Sequence, residues 1–219
     1  MKLNGKLIVI EGTDGSGKTT QLEILSKTLT EQGYDVLTMH LPSYESVGKF
    51  FREEAIGGNE TKHNPLTEAL LILADLADIT VKSIKPHLAK GGVVLCSRWI
   101  LTTLAYQANR ITAPDAVDNK LIFDMILRMD RVIDNSYIHN PDIKIVLMSD
   151  ETYDERLERR SSLDAMELKD DEFKQAVSQV YKESYQTYGY KYICAKQSIE
   201  TVASKIMETI EWETQLWHR

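Results

Sequence analysis

The chain has little cysteine: two residues in 219, Cys96 and Cys194. Both lie in apolar stretches that read as strands, so they are expected as buried free thiols of a reducing compartment rather than as a disulfide. A chain of this length can bury a sizeable core without such a staple. A basic excess is missing too. The 26 Lys and Arg against 33 Asp and Glu leave a net charge of −7, a poor match to the phosphate neutralisation on which nucleic-acid binding depends. Long hydrophobic runs are absent: nothing approaches the roughly eighteen apolar residues a membrane span requires. The N-terminal MKLNGKLIVIEG has too short an apolar run for a signal peptide. A cytoplasmic protein with no nucleic-acid or membrane partner is expected. Glycine (11) and proline (5) are sparse enough to exclude collagen-like or disordered chains. With no repeat and no Gly-, Pro- or Ser-rich linker, residues 1–219 read as one domain. The five histidines show no metal-ligand spacing and read as surface or packing residues.

What is there is a regular alternation. Lys6 to Glu11 (KLIVIE) is a continuous apolar run ending in a glycine-rich turn, the pattern of a strand buried on both faces of a parallel sheet. Thr19 to Gln32 carries Leu22, Leu25 and Leu29 at helical spacing, with Gly33 as a stop. Tyr34 to His40 reads as a second strand and Val47 to Ala55 as a helix. Asn64-Pro65 should start a long helix, asparagine as cap and proline at the first position, running through Leu70, Leu73, Ala77 and Val81 to Leu88. Val93 to Cys96, Ile143 to Met148 and Tyr190 to Cys194 supply three more strands. Helices are expected over Ala116–Ile133, Thr152–Arg160, Asp171–Tyr188 and Ser198–Trp212. The sum is an α/β fold with five parallel strands flanked by helices in three layers. The polar stretch between two helices, about residues 158–170, is the candidate lid.

The sharpest motif is GTDGSGKT, Gly12 to Thr19, which matches the phosphate-binding P-loop pattern G-x-x-x-x-G-K-[ST]. Its strand before and amphipathic helix after are the context such a loop requires. Gly12, Gly15, Ser16 and Gly17 let backbone N–H groups turn inward onto phosphates, and the following helix points its positive end at the same anion. Lys18 is expected to reach the β- and γ-phosphates of ATP, Thr19 to offer its hydroxyl to Mg2+, and Thr20 to close the cradle. Asp14 would repel ATP unless it faces elsewhere, for instance a sugar hydroxyl of a second substrate; the alternative is a solvated loop acid. Arg98, at the carboxyl end of the third strand where open α/β sheets bind ligands, can hold a phosphate by paired hydrogen bonds or form a surface ion pair. Thr103 and Gln107, four residues apart on one helix face, can line a base pocket or merely cap and pack. Arg156, Arg159 and Arg160 open the polar segment, where closing arginines would stabilise a phosphoryl group in transfer; a solvated charged face is the other reading.

Taken together these residues resemble the thymidylate kinase family across nearly the whole chain. The resemblance is carried by EGTDGSGKTTQ, LPSYESVGKFFRE, ALLILADLAD, RW with downstream LAYQ, and the arginine-bearing segment followed by DDEF. It implies ATP and Mg2+ as cofactors, a nucleoside monophosphate acceptor such as dTMP, and a homodimer. By position, Lys18 and Thr19 would serve ATP and magnesium, Asp14 the acceptor sugar or phosphate region, and Arg98 the acceptor phosphate. Gln107, Thr103, Ile72 (or Leu73), Leu76 and Arg52 would surround the acceptor base. Gly15 where one branch of the family carries arginine implies a catalytic arginine from the lid, Arg159 or Arg160. Three residues depart from the family pattern. Ser97 replaces the aspartate before Arg98, Ile72 or Leu73 an aromatic base platform, and Leu76 an arginine that donates to the base. Three other readings stay open beside the kinase: the same reaction on a related pyrimidine nucleotide, a regulatory or DNA-processing P-loop ATPase, and, given Ser97, a degenerate kinase that binds nucleotide but turns over slowly.

Overall fold

The computed structural model describes residues 5–55, 63–107, 140–148 and 171–216. Five parallel strands form one sheet: β1 (Lys6–Gly12), β2 (Val36–His40), β3 (Val93–Ser97), β4 (Ile143–Met148) and β5 (Lys191–Cys194), in the order β2-β3-β1-β4-β5. β1 sits at the centre, with Ile8 opposite Leu95 on one side and Ile143 on the other. Alternate residues of the central strands feed two cores. Leu7, Val9, Val94, Cys96 and Val146 enter one, Ile8, Ile10, Leu95, Ile145 and Leu147 the other. Both faces are therefore covered, as the continuous apolar runs predict.

Helix α1 (Lys18–Glu31) covers one face with Leu22, Leu25 and Leu29, joined there by α7 (Ile199–Leu216) through Val202, Ile206 and Ile210. The opposite face carries α3 (Pro65–Ile79), α5 (Ile100–Tyr106) and α6 (Asp171–Thr187). Asn64 caps α3 as its sequence predicts, its side chain accepting from the Thr67 N–H at 2.9 Å. The predicted long helix is not uniform. Thr80–Ile84 forms a π-helical turn between α3 and α4 (Lys85–Ala89), and a second π-helical turn, Phe51–Ala55, follows α2 (Ser46–Phe50). Such widened turns break the 3.6-residue period on which the sequence reading rests. The last helix also runs past Trp212 to Leu216. Both cysteines are free, but only Cys96 is fully buried; Cys194 is partly exposed because β5 is an edge strand. The helices expected over Ala116–Ile133 and Thr152–Arg160 lie outside the described residues, as do Arg156, Arg159, Arg160 and the candidate lid at 158–170. Among the described residues no helix is long and apolar enough to cross a membrane.

Strand order fixes where the site falls. From β1 the chain passes β3 to reach β2, and from β3 it passes β1 to reach β4. The helices after β1 and β3 leave on opposite faces, which opens a crevice beyond the carboxyl ends of these two strands.

Candidate active site

The phosphate loop lies at the end of β1. Gly12 pairs with Leu147 of β4 at a φ of 141°, and a Cβ there would sit 2.0 Å from the Leu147 carbonyl oxygen. Only glycine fits so close an approach. Gly17, at φ 86°, is the left-handed residue from which α1 starts, so the helix opens directly behind the loop with its positive end toward it. The Lys18 ammonium is 7% exposed and donates to the carbonyls of Gly12 at 2.9 Å and Thr13 at 2.7 Å. It is thus folded over its own loop rather than extended into solvent. The buried Ser16 hydroxyl has no hydrogen-bond partner among the described residues. Thr19 and Thr20 are exposed. Among the described residues no group of three or more His, Cys, Asp or Glu side chains is gathered to hold a metal ion.

Asp14 does not project into solvent. It is 4% exposed, pairs with the Arg98 guanidinium, and accepts from the Tyr106 hydroxyl at 2.6 Å. Asp14 is therefore a buried acid rather than a solvated one, and Arg98 forms a partly exposed ion pair with it. Arg98 extends the sheet by one bond, its N–H donating to the Ile10 carbonyl at 3.0 Å. Its φ of 71° is left-handed, the one such non-glycine angle among the described residues. That conformation costs about 1–3 kcal/mol and recurs where a site demands a particular side-chain aim. Here it turns the guanidinium back across the crevice, 5.4 Å above the Tyr106 ring, to the loop acid. Burial opposes the charge on Arg98, but the Asp14 carboxylate together with Tyr106 and Tyr181 outweighs it, so its pKa lies well above the ordinary value.

Glu11, the charged end of the KLIVIE strand, is fully buried. It takes hydrogen bonds from the Thr102 hydroxyl and from the Thr102 N–H at 3.3 Å, and the same hydroxyl meets the Tyr181 hydroxyl at 2.9 Å. Burial raises the Glu11 pKa against the pull of Thr102 and Arg98. Burial, and then the Glu11 charge, push the Tyr181 phenol up as well. A carboxylate at a strand end beside a glycine turn was the signal for Glu11 in the sequence. Tyr181 had no local one, since it comes to the site only through the packing of α6.

A second buried acid, Asp75 of α3, accepts from the Ser43 N–H and hydroxyl, both at 2.6 Å. Burial raises its pKa, opposed by the bonds from Ser43 and Gly48. It thereby pins the loop after β2. Arg52 closes the same loop by donating to the carbonyls of Pro42, at 2.8 Å, and Ser43, at 3.2 Å, with its guanidinium 4.2 Å over the Tyr44 ring.

The base-pocket candidates fall together between α3 and α5. Ile72, Leu73 and Leu76 are 4%, 3% and 0% exposed, and Thr103 and Gln107 are 0% and 3%. Gln107 donates to Glu68 of α3 at 3.4 Å. The aliphatic residues belong to the same core cluster as Leu101, Leu104 and Tyr106.

Comparison with known proteins agrees with this geometry. A family model described as thymidylate kinase matches residues 10–206. A thymidylate kinase of Exiguobacterium sp. is 30% identical over 213 residues, covering 95% of this chain and 96% of its own. That of Caldicellulosiruptor saccharolyticus is 32% identical over 211 residues, covering 95% and 97%. Among solved structures, thymidylate kinase from Ehrlichia chaffeensis superposes with a TM-score of 0.69 at 25% identity, over 94% of this chain and 98% of that one. The Candida albicans thymidylate kinase shares the fold, with a TM-score of 0.73 at 22% identity over 96% and 93%.

Proposed function

We propose a reaction for a chain that belongs to the thymidylate kinase family: transfer of the γ-phosphoryl group of ATP to dTMP, giving ADP and dTDP. The observation that carries it is the partly buried guanidinium of Arg98, turned by a left-handed backbone to the mouth of a phosphate loop. Phosphoryl transfer asks little covalent chemistry of the protein. It needs two anions aligned, their charge neutralised, and water kept away.

The loop N–H groups and the start of α1 would hold the ATP phosphates, with Lys18 moving from its carbonyl partners onto the transferring group. Gly12 fits this role because a side chain there would collide with the Leu147 carbonyl of β4 and crowd the Ser16 hydroxyl of the loop. Thr19, exposed at the first turn of α1, suits Mg2+, with the nucleotide phosphates supplying further ligands. Bound there, the ion neutralises charge on the phosphates. Arg98 would exchange part of its contact with Asp14 for the acceptor phosphate, and Asp14 and Tyr106 keep the fork aimed. The lid arginines Arg159 and Arg160 remain the source we favour for the cation that acts in the transition state. Thr103, Gln107, Ile72 and Leu76 enclose the acceptor base in this reading, and Asp75 and Arg52 hold the loop beside it. We also take the whole chain as one domain and the enzyme as a homodimer. In support, Leu66 and Leu70 on α3 and Val81 after it, at spacings that share a helix face, are 37%, 44% and 46% exposed. Two free thiols suit a reducing, cytoplasmic compartment.

The test is a panel of nucleoside monophosphates with ATP and Mg2+, reading the diphosphate formed. Formation of dTDP is expected. ATP turnover stimulated by DNA and by no monophosphate would overturn the reading.

A further inference from the structure

Three consecutive residues at the end of β1 each hold a different part of the crevice. The Ile10 carbonyl accepts from the Arg98 N–H at 3.0 Å. The Gly12 carbonyl, where the phosphate loop begins, accepts from the Lys18 ammonium at 2.9 Å. Between them stands Glu11, fully buried, and the proposed reaction gives it no task. Its two carboxylate oxygens are divided between two donors of a single residue. Oε1 accepts from the Thr102 N–H at 3.3 Å, and Oε2 from the Thr102 hydroxyl. Burial raises its pKa, and Thr102, Arg98 and Lys18 draw it back, so both cations of the crevice act on this one acid. A buried carboxylate is costly to keep, and an aliphatic residue would pack there with less penalty.

Thr102 lies in the first turn of α5, four residues after Arg98. Trp99, the residue before that helix, gives it no side-chain cap. The Thr102 N–H is shared instead between the Trp99 carbonyl, at 3.1 Å, and Glu11. An acid near the first turn of a helix is favoured by the helix dipole, and here it comes from a strand 91 residues away. A hydroxyl has one proton to give. Since Thr102 gives its own to Glu11, it must accept from the Tyr181 hydroxyl of α6, 2.9 Å away. The donors therefore run in one direction, from Tyr181 to Thr102 to Glu11, and end on the strand that carries the loop.

This clamp bears on spacing. The same helix carries Tyr106, whose hydroxyl holds Asp14 and whose ring lies 5.4 Å from the Arg98 guanidinium. Arg98 is thus set from two sides: its backbone by Ile10, and the helix behind its side chain by Glu11. We propose that Glu11 is a positioning residue for phosphoryl transfer: by holding Thr102 through both carboxylate oxygens it fixes α5, and with it Arg98, at the distance from the phosphate loop that in-line transfer requires. The inference rests on the kinase reading above. Glu11 takes no part in the bonds exchanged. A phosphate oxygen of dTMP bonds to the γ-phosphorus of ATP, the bond from that phosphorus to the bridging oxygen breaks, and ADP leaves.

The experiment measures dTDP and ADP formed from dTMP, ATP and Mg2+ by the native chain and by Thr102→Val, Glu11→Gln and Thr102→Ser. Thr102→Val keeps the shape of the side chain and loses the hydroxyl. Glu11→Gln keeps its shape too but has one oxygen where two are used. Thr102→Ser keeps both bonds. A misplacement of about 1 Å between reacting groups costs about a hundredfold. We expect kcat to fall about ten- to a hundredfold in Thr102→Val and in Glu11→Gln, and Thr102→Ser to recover most of that loss. The KM for ATP and for dTMP should each change by less than about threefold, because each phosphate still meets its own anchor. Water then competes for a misaligned γ-phosphoryl group, so ADP released per dTDP should rise above the native ratio. A role in packing alone would lower urea midpoints and leave both kcat and that ratio unchanged in the folded enzyme. A kcat within about threefold of native in Thr102→Val or Glu11→Gln overturns the proposal, as does a Thr102→Ser variant as impaired as Thr102→Val. Should one of the first two variants fail to fold, the other decides. If the native chain forms no dTDP, the kinase reading fails instead.

Discussion

Arg98 offers the most searching test because three effects at one residue can be separated by substitution. Arg98→Ala removes the ion partner of a carboxylate that is 4% exposed. Stripping one member from a buried pair costs about 3–5 kcal/mol. Two features place this case at the low end: the Arg98 side chain keeps 21% of its surface in water, and Asp14 retains the Tyr106 hydroxyl at 2.6 Å. A loss of about 3 kcal/mol lowers Tm by about 6–12 °C in a domain of this size. Arg98→Gly loses the same pair but relieves the left-handed φ of 71°, so it should melt about 2–4 °C above the alanine variant. Binding separates the functional role. In calorimetric titrations, dTMP affinity should fall by about a hundredfold or more in both variants, as loss of a charged hydrogen bond at a phosphate implies. ATP affinity should stay within about threefold of native. Arg98→Lys should restore part of the stability and little of the dTMP affinity, since a point charge cannot copy the paired fork. Equal loss for both ligands, or alanine and glycine variants that melt together, would refute the reasoning.

Lys18→Ala should cut turnover by at least about a hundredfold; because its ammonium braces two loop carbonyls, it should also lose about 2 kcal/mol of stability by urea titration, and an active variant would sink the phosphate-loop assignment. Arg159→Ala and Arg160→Ala should lower kcat with modest change in KM, the sign of a contact made in the transition state; full turnover in both would move the role to Arg156 or Arg52. The dUMP reaction should run within about ten- to a hundredfold of dTMP, because a lost methyl in an aliphatic pocket sets only that much; a preference beyond about four powers of ten would show the pocket misread. Glu11 gives a pH test. Its folded pKa lies above the ordinary 4.5, so the native state holds the extra proton and stability declines as pH rises from 4.5 toward that raised value. Glu11→Gln should flatten this decline in urea midpoints, and an unchanged slope would exclude Glu11 as its source.

Much of this was readable in the sequence because parallel sheets are buried on both faces. A continuous apolar run such as KLIVIE, ending in glycines, admits few other homes; β1, β3 and β4 are such buried runs, while β2 and the edge strand β5 lie in the more mixed stretches also read as strands. The Asn64 cap and Gly17 were legible for the same reason: each meets a local backbone demand within a few residues. What escaped was non-local. Nothing near Asp14 tells that Tyr106, 92 residues on, will donate to it, or that Glu68 will meet Gln107 across 39 residues. Such pairs are set by which helices cross which strands. The π-helical turns escaped for another reason, since one extra residue in a turn carries no residue signature of its own and breaks the 3.6-residue period at a single point.

The same distinction explains which readings at the site changed. Asp14 and Arg98 were each assigned a ligand from sequence position, one a sugar and the other a phosphate. The structure joins them. A buried carboxylate and a partly buried guanidinium that neutralise each other cost less than either alone, so the pair can wait in the crevice with both charges already partly desolvated. On the proposed role of Arg98, an arriving phosphate competes for a fork that is already aimed, and the ordering of a long side chain is met in folding rather than in binding. The left-handed backbone at Arg98 belongs to that arrangement: its conformational cost is sustained by the sheet bond to Ile10 and the Asp14 pair. On that proposal the site gains affinity for its acceptor by rigidity, and substitutions that loosen Tyr106 or Asp14 should weaken acceptor binding through Arg98.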